Sequence, residues 1–117
     1  MILVADNLTI TNPIVEMAIQ DMNPEPIRGL VSRCAAAGAE AIDINPGPLT
    51  RDPDRRMRFL VEAVQSATDL PILLDTTNPE ALKAGLEAAL GKTIINGFSL
   101  EPNKLESILP LARRYDA

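Results

Sequence analysis

The chain contains no histidine and a single cysteine, Cys34, which closes two classes of function at once. One thiol cannot build a disulfide framework or an all-cysteine metal site within one chain, and without imidazole the nitrogen-sulfur ligation of zinc is excluded. A long run of Lys or Arg is also missing: 11 basic residues stand against 16 acidic ones, for a formal net charge of -5. That balance argues against nucleic acid or an anionic membrane surface and in favour of a small molecule or another protein as partner. No segment reaches the roughly 18 apolar residues of a spanning helix. The first apolar run, Ile2 to Ala5, is too short for a signal peptide and meets Asp6 at once. The expected location is the cytoplasm.

What the chain does have is a repeated pattern. Its 117 residues are one domain's worth, and 46% hydrophobic against 23% charged residues allow a modest core. Four short apolar runs end in an acid or amide: Ile2 to Asn7, Ala41 to Asn45, Ile72 to Asp75 and Thr93 to Asn96. Helix starts follow them. Asn12-Pro13, Asn23-Pro24, Asp52-Pro53 and Asn78-Pro79 each pair a side-chain acceptor for the N-cap with a proline for the first helical position, where the missing N–H is no loss; Glu101-Pro102 is a weaker version. After these starts, apolar residues recur at helical spacing: Ile27, Leu30, Val31 and Cys34; Met57, Leu60, Val61 and Val64; Leu105, Ile108, Leu109 and Ala112. Leu82 and Leu86 form a shorter stripe, with Gly91 expected as the C′ glycine. Pro110 falls inside the last stripe and is expected to kink it.

Strands alternating with one-sided helices predict an α/β fold of four βα units, with an extra helical turn near residues 13–20 and a parallel sheet with right-handed crossovers. Two architectures satisfy the pattern: a small open doubly wound sheet, or the N-terminal half of a (β/α)8 TIM barrel, which in full takes about 250 residues. The last stretch, Leu111 to Ala117, reads as a helix leading towards a fifth strand, so residues 1–117 are expected to be a partial domain ending before that strand. Unpaired edges on the first and fourth strands would favour a homodimer.

In either architecture the C-terminal ends of parallel strands share one ligand-binding rim. Asp43, Asn45, Asp75 and Asn96 stand at those ends. Any one of them alone is explained equally well as a turn or helix cap. Four in register point to a ligand, since carboxylates accept paired N–H donors from a guanidine-like edge and amides both donate and accept.

Three ordered stretches then carry a specific likeness: Gly38 to Pro48 with Asp43-Ile44-Asn45-Pro46-Gly47, Leu74 to Ala81 with Asp75-Thr76-Thr77-Asn78-Pro79, and Ile94-Ile95-Asn96. Together the chain resembles the pterin-binding superfamily, and within it the methyltetrahydrofolate:corrinoid protein methyltransferases. The resemblance implies a (β/α)8 barrel. It implies methyltetrahydrofolate as substrate, a corrinoid (cobalamin) carried by a partner protein, and transfer of the N5 methyl to cobalt(I). On it, Asp75 and Asn96 would hydrogen-bond the pterin ring, and Asp43, the position with a catalytic role, would with Asn45 organise the polar network near N5. Asn7 would supply a polar group at the first strand end. A further asparagine and a third carboxylate of the family would lie beyond the fourth strand, so the 117 residues alone are expected to be inactive.

The dihydropteroate synthase branch shares the positions of Asp43, Asp75 and Asn96. It resembles this chain less in the loops. Asn7-Leu8-Thr9-Ile10-Thr11-Asn12-Pro13 and Asn45-Pro46-Gly47-Pro48-Leu49-Thr50 lack that branch's Asp-Ser-Phe-Ser-Asp-Gly-Gly and Gly-Gly-Glu-Ser-Thr sequences. A non-catalytic pterin-binding half-barrel stays open as a third reading. Arg51, Arg55, Arg56 and Arg58 form a basic cluster for which solvation is the simpler account and a folate tail or acidic partner the functional one.

Overall fold

The computed structural model describes residues 1–9, 12–47, 51–96 and 101–117. Along the chain run β1 (Val4–Thr9), α1 (Pro13–Asp21), α2 (Glu25–Ala36), β2 (Ala41–Asn45), α3 (Pro53–Ala67), β3 (Ile72–Asp75), α4 (Pro79–Ala88), β4 (Thr93–Asn96) and α5 (Pro102–Arg114). All strand pairs are parallel, in the order β1-β2-β3-β4.

The face pattern decides between the two architectures. Ile42, Ile44, Ile72 and Leu74 are 0–2% exposed, and they share the sheet face on which the helices lie. Successive helices pack side by side there, α1 on α2, α2 on α3, α3 on α4 and α4 on α5. The opposite face carries Val4 and Ile94, each 42% exposed. A doubly wound sheet would be covered on both sides; one covered face with strands in chain order is half of a (β/α)8 barrel. The apolar stripes of α2, α3 and α4 bury themselves in the shared core, among them Ile27, Val31, Met57, Leu60, Val61 and Leu82, whereas on the stripe expected for α5 Ile108 is buried but Leu109 is 54% exposed.

Local chemistry explains most element ends. Asn12 and Asn78 cap their helices as expected: Asn12 accepts from Ile14 N at 3.0 Å, and Asn78 from Glu80 N at 2.9 Å and Ala81 N at 3.1 Å. At the other starts one part of the reading needs correction, the position in α2 and the side-chain cap in α3 and α5, which do begin at Pro53 and Pro102. Asn23 does accept from Glu25 N at 3.2 Å, but α2 begins one residue later than its proline pair suggested. Asp52 adopts left-handed φ 48° and makes no side-chain cap bond, because that backbone turns its carboxylate away from the N–H groups of the first turn. Glu101 makes none either. Gly91 is not a left-handed C′ residue: α4 ends at Ala88, and extended Ala89 already carries the chain away. The turn foreseen near residues 13–20 is a nine-residue helix, and α5 runs on through Pro110.

The first strand departs furthest from expectation. Ile2 and Leu3 lie outside it, 73% and 52% exposed, and β1 extends instead to Thr9. Val4 and Ala5 pair with Ala41 and Ile42, but Leu8 and Thr9 pair with Ile44 and Asn45. From Ala5 to Leu8 β1 advances three residues while β2 advances two, so β1 holds a one-residue bulge. The bulge reverses which face successive side chains take. Leu8 thereby joins the core at 1% exposure, although it has the same sequence parity as Val4 and Asp6 on the open face.

Candidate functional site

The open sheet face is apolar at its floor and polar at the C-terminal rim. There a cavity of about 400 Å³ is floored by Val4 and Leu73 and walled by Asp6, Asp43, Asn45, Asp75 and Asn96. Four of the five candidates from the sequence therefore meet in one place. The period-2 alternation of each strand brings them there: Ala41, Asp43 and Asn45 take one face of β2, Leu73 and Asp75 the same face of β3, Ile94 and Asn96 that of β4. The fifth candidate, Asn7, lies in the bulged part of β1, and its side chain is outside the described residues, as is Gly97, the glycine that follows the fourth strand end in the sequence.

Asp43 is the buried member of the group, 5% exposed. Asn96 reaches it from two strands away, donating Nδ2 to Asp43 Oδ2 at 2.9 Å. Burial is the main reason that the Asp43 carboxyl is pushed up from 3.8 to about 6; the Asn96 bond opposes this, while charge repulsion by Asp75 and a hydrogen bond that protonated Asp43 donates to it, and then the charge of Asp6, add to it. A carboxyl with that value exchanges its proton close to neutral pH.

Asn45 has a turn role as well as a place in the cavity wall. Its Oδ1 accepts from Gly47 N at 3.0 Å, which shapes the turn where Gly47 takes φ 72°. The amide end left facing a ligand is Nδ2, a donor. Asp75 pairs in register with Asn96 across β3 and β4, so an acceptor and an amide stand side by side.

Asp6 is the residue the sequence reading missed. Looking for the last polar residue of the first run singled out Asn7, whereas side-chain alternation from Val4 places Asp6 on the open face. The signal was present in the parity of Val4 and Asp6. No Lys or Arg is among the described residues that line the cavity, so the wall is acceptor-rich and negative. Among the described residues, no cluster of three acidic, cysteine or histidine side chains is arranged to hold a metal ion. What such a wall can recognise is a planar edge of N–H donors.

Other candidate features fall elsewhere. Of the four arginines, Arg58 pairs with Glu87 at 3.5 Å on the helical exterior. Cys34 is half-buried against the core. A second cavity of about 290 Å³ lies at the opposite end of the strands, lined by residues 68–72 and 90–92. There Gln65 ties two loops together, donating to Ala88 O at 3.0 Å and accepting from Leu90 N at 2.8 Å, a stabilising task typical of that barrel end. Among the described residues no helix is long and apolar enough to cross a membrane.

A one-sided parallel sheet with acids and two amides on its C-terminal rim is the ligand end of a (β/α)8 barrel protein. Residues 13–117 match the model of the pterin binding enzyme family, and the chain belongs to that family. It is 31% identical over 111 residues to a methylcorrinoid:tetrahydrofolate methyltransferase from Eubacterium limosum, an alignment that covers 95% of this chain and 41% of that protein. A dihydropteroate synthase from Xanthomonas albilineans, solved in complex with indole-2-carboxylic acid and 6-chloroguanine, has the same fold over 94% of this chain and 42% of its own, with a TM-score of 0.54 and 23% identity. The chain thus spans about two fifths of the length of the relatives it matches.

Proposed function

We propose that this chain is the first half of a methyltetrahydrofolate-dependent corrinoid protein methyltransferase, and that the rim cavity holds half of the pterin pocket. The observation that carries the reading is the convergence of Asp43, Asp75 and Asn96 on one acceptor-rich wall. The Eubacterium limosum relative supports the methyltransferase branch, and the two loops after β1 and β2 argue against the synthase branch. Its name gives the transfer from methylcorrinoid to tetrahydrofolate; one site serves both directions, because the forward and reverse reactions share a transition state.

In this reading Asp75 accepts from the donor edge of the pterin, and Asn96 binds the ring beside it while its Nδ2 holds Asp43 in place. The corrinoid of the partner protein supplies the cobalt that gives or takes the methyl group. N5 of tetrahydrofolate is a poor leaving group and must gain a proton or hydrogen bond as its bond to carbon breaks. Asp43, with a value of about 6, and Asn45 order the polar network from which that proton is steadied. Ring binding fixes N5 relative to the incoming reactant, and positioning of this kind lowers the barrier by itself. Cytoplasmic location, a folate and a corrinoid protein as partners, and a homodimer belong to the same proposal.

The test is titration calorimetry on the complete protein. Asp75→Asn weakens methyltetrahydrofolate binding by about 1–3 kcal/mol, through loss of a charged hydrogen bond. Unchanged affinity would overturn the pterin assignment.

A further inference from the structure

The bulge in β1 invites a question about what it is for. Without it, Asp6 and Leu8 would share a face, since residues two apart on a regular strand point the same way. One of two costs would follow: Leu8 would leave the core, where it is 1% exposed, or Asp6 would be forced among the helix-facing apolar side chains. The extra residue between Ala5 and Leu8 lets both side chains go where their chemistry belongs. Bulges of this kind re-aim side chains next to functional sites.

We infer that Asp6 is a specificity-determining residue of the rim pocket: the bulge places its carboxylate as the third acid on three adjacent strands, completing an arc that admits a ligand edge of N–H donors and repels one of acceptors. The inference rests on the pterin reading above and deepens it. The arc is made of Asp6 on β1, Asp43 on β2 and Asp75 on β3, closed on the far side by Asn96 on β4. Asp6 is exposed within the cavity wall, so no packing role competes for it. The chemical class selected is a 2-amino-4-oxo-pyrimidine edge, whose amino and ring N–H groups donate to acids; an edge of carbonyl oxygens finds no lysine or arginine among the described lining residues.

The groups that face Asp43 are Asp6 from β1, Asp75 from β3, Asn96 from β4 and Asn45 from its own strand. Asp6 is one of the negative charges that favour protonation of Asp43. Removing that charge therefore makes Asp43 ionise at lower pH, which gives Asp6 a signature that a merely structural residue lacks.

Calorimetry on the complete protein with methyltetrahydrofolate, across about pH 5 to 8, separates the possibilities. Asp6→Asn is expected to lower affinity about tenfold and to move the acid-side loss of binding to lower pH. Asp6→Glu restores both in part. If Asp75→Asn weakens binding while Asp6→Asn alters neither affinity nor pH profile, the role of Asp6 is overturned and the pterin reading stands. If Asp75→Asn has no effect, both fall. Circular dichroism identical to the parent confirms that Asp6→Asn is folded, as its exposure leads one to expect.

Discussion

Asn96 and Asp43 are 53 residues apart and sit on strands that are not neighbours, yet Asn96 Nδ2 and Asp43 Oδ2 are joined at 2.9 Å across the intervening β3. The bond spans the open face of the sheet. It therefore couples the most buried acid of the rim to an exposed amide on the outermost strand.

That bond favours the ionised form of Asp43. In Asn96→Ala the donor is lost while burial and the neighbouring acids remain, so Asp43 titrates above its present value of about 6. Carboxyl-carbon NMR of the labelled chain reads this directly. A lower or unchanged midpoint would show that the amide does not stabilise the carboxylate.

The same titration fixes the sign of a stability effect. Asp43 has a folded value of about 6 against an ordinary 3.8, so between those limits the folded state holds a proton that the unfolded chain has released. Its contribution is complete below the ordinary value, declines as pH rises, and is lost above about 6. Asp43→Asn keeps the shape and cannot ionise. It should be more stable than the parent near neutral pH by on the order of 2 kcal/mol, with the gap closing towards pH 4. Urea unfolding at both ends of that range is the measurement; a gap independent of pH would exclude this linkage.

These two residues also show how far sequence reasoning reached. The β2, β3 and β4 bounds followed from apolar runs ended by polar residues, because in those strands alternation is unbroken and the last acid or amide is also the one that faces the ligand. In β1 the bulge breaks that link. Nothing local announces it: the choice is made by Leu8, whose burial against the helices outweighs regular pairing. Helix starts were legible at Asn12, Asp52 and Asn78, where each helix begins at the proline that follows; what the sequence did not reveal is that Asp52, with a left-handed backbone, makes no side-chain cap bond while the two asparagines do.

Packing between α4 and β3 gives a further expectation. A Cβ at Gly85 would stand 2.9 Å from Leu74 Cδ1 and 3.0 Å from Met57 Cγ. Both neighbours are fully buried and have little room to yield. Overpacking costs about 1–3 kcal/mol, against which alanine regains about 1 kcal/mol of helix propensity. Gly85→Ala should thus lose about 1 kcal/mol in urea unfolding, and a gain in stability would mean that the helix shifts outward without penalty.

The strand order has a consequence for how the rim moves. Each βα unit finds its sheet partners only in the units next to it along the chain, as in a linear array whose outer members have one neighbour and whose inner members have two. Within these 117 residues, opening an outer unit breaks one interface, and α5, with Ile108 as its buried residue, is held less firmly than α3 or α4, with five each. Asp43 and Asp75 ride on the inner strands, whereas Asp6 and Asn96 ride on the outer ones. In the 117 residues taken alone, amide exchange should therefore be slower around Asp43 and Asp75 than around Asp6 and Asn96, a contrast that closure of the sheet into a complete barrel would remove.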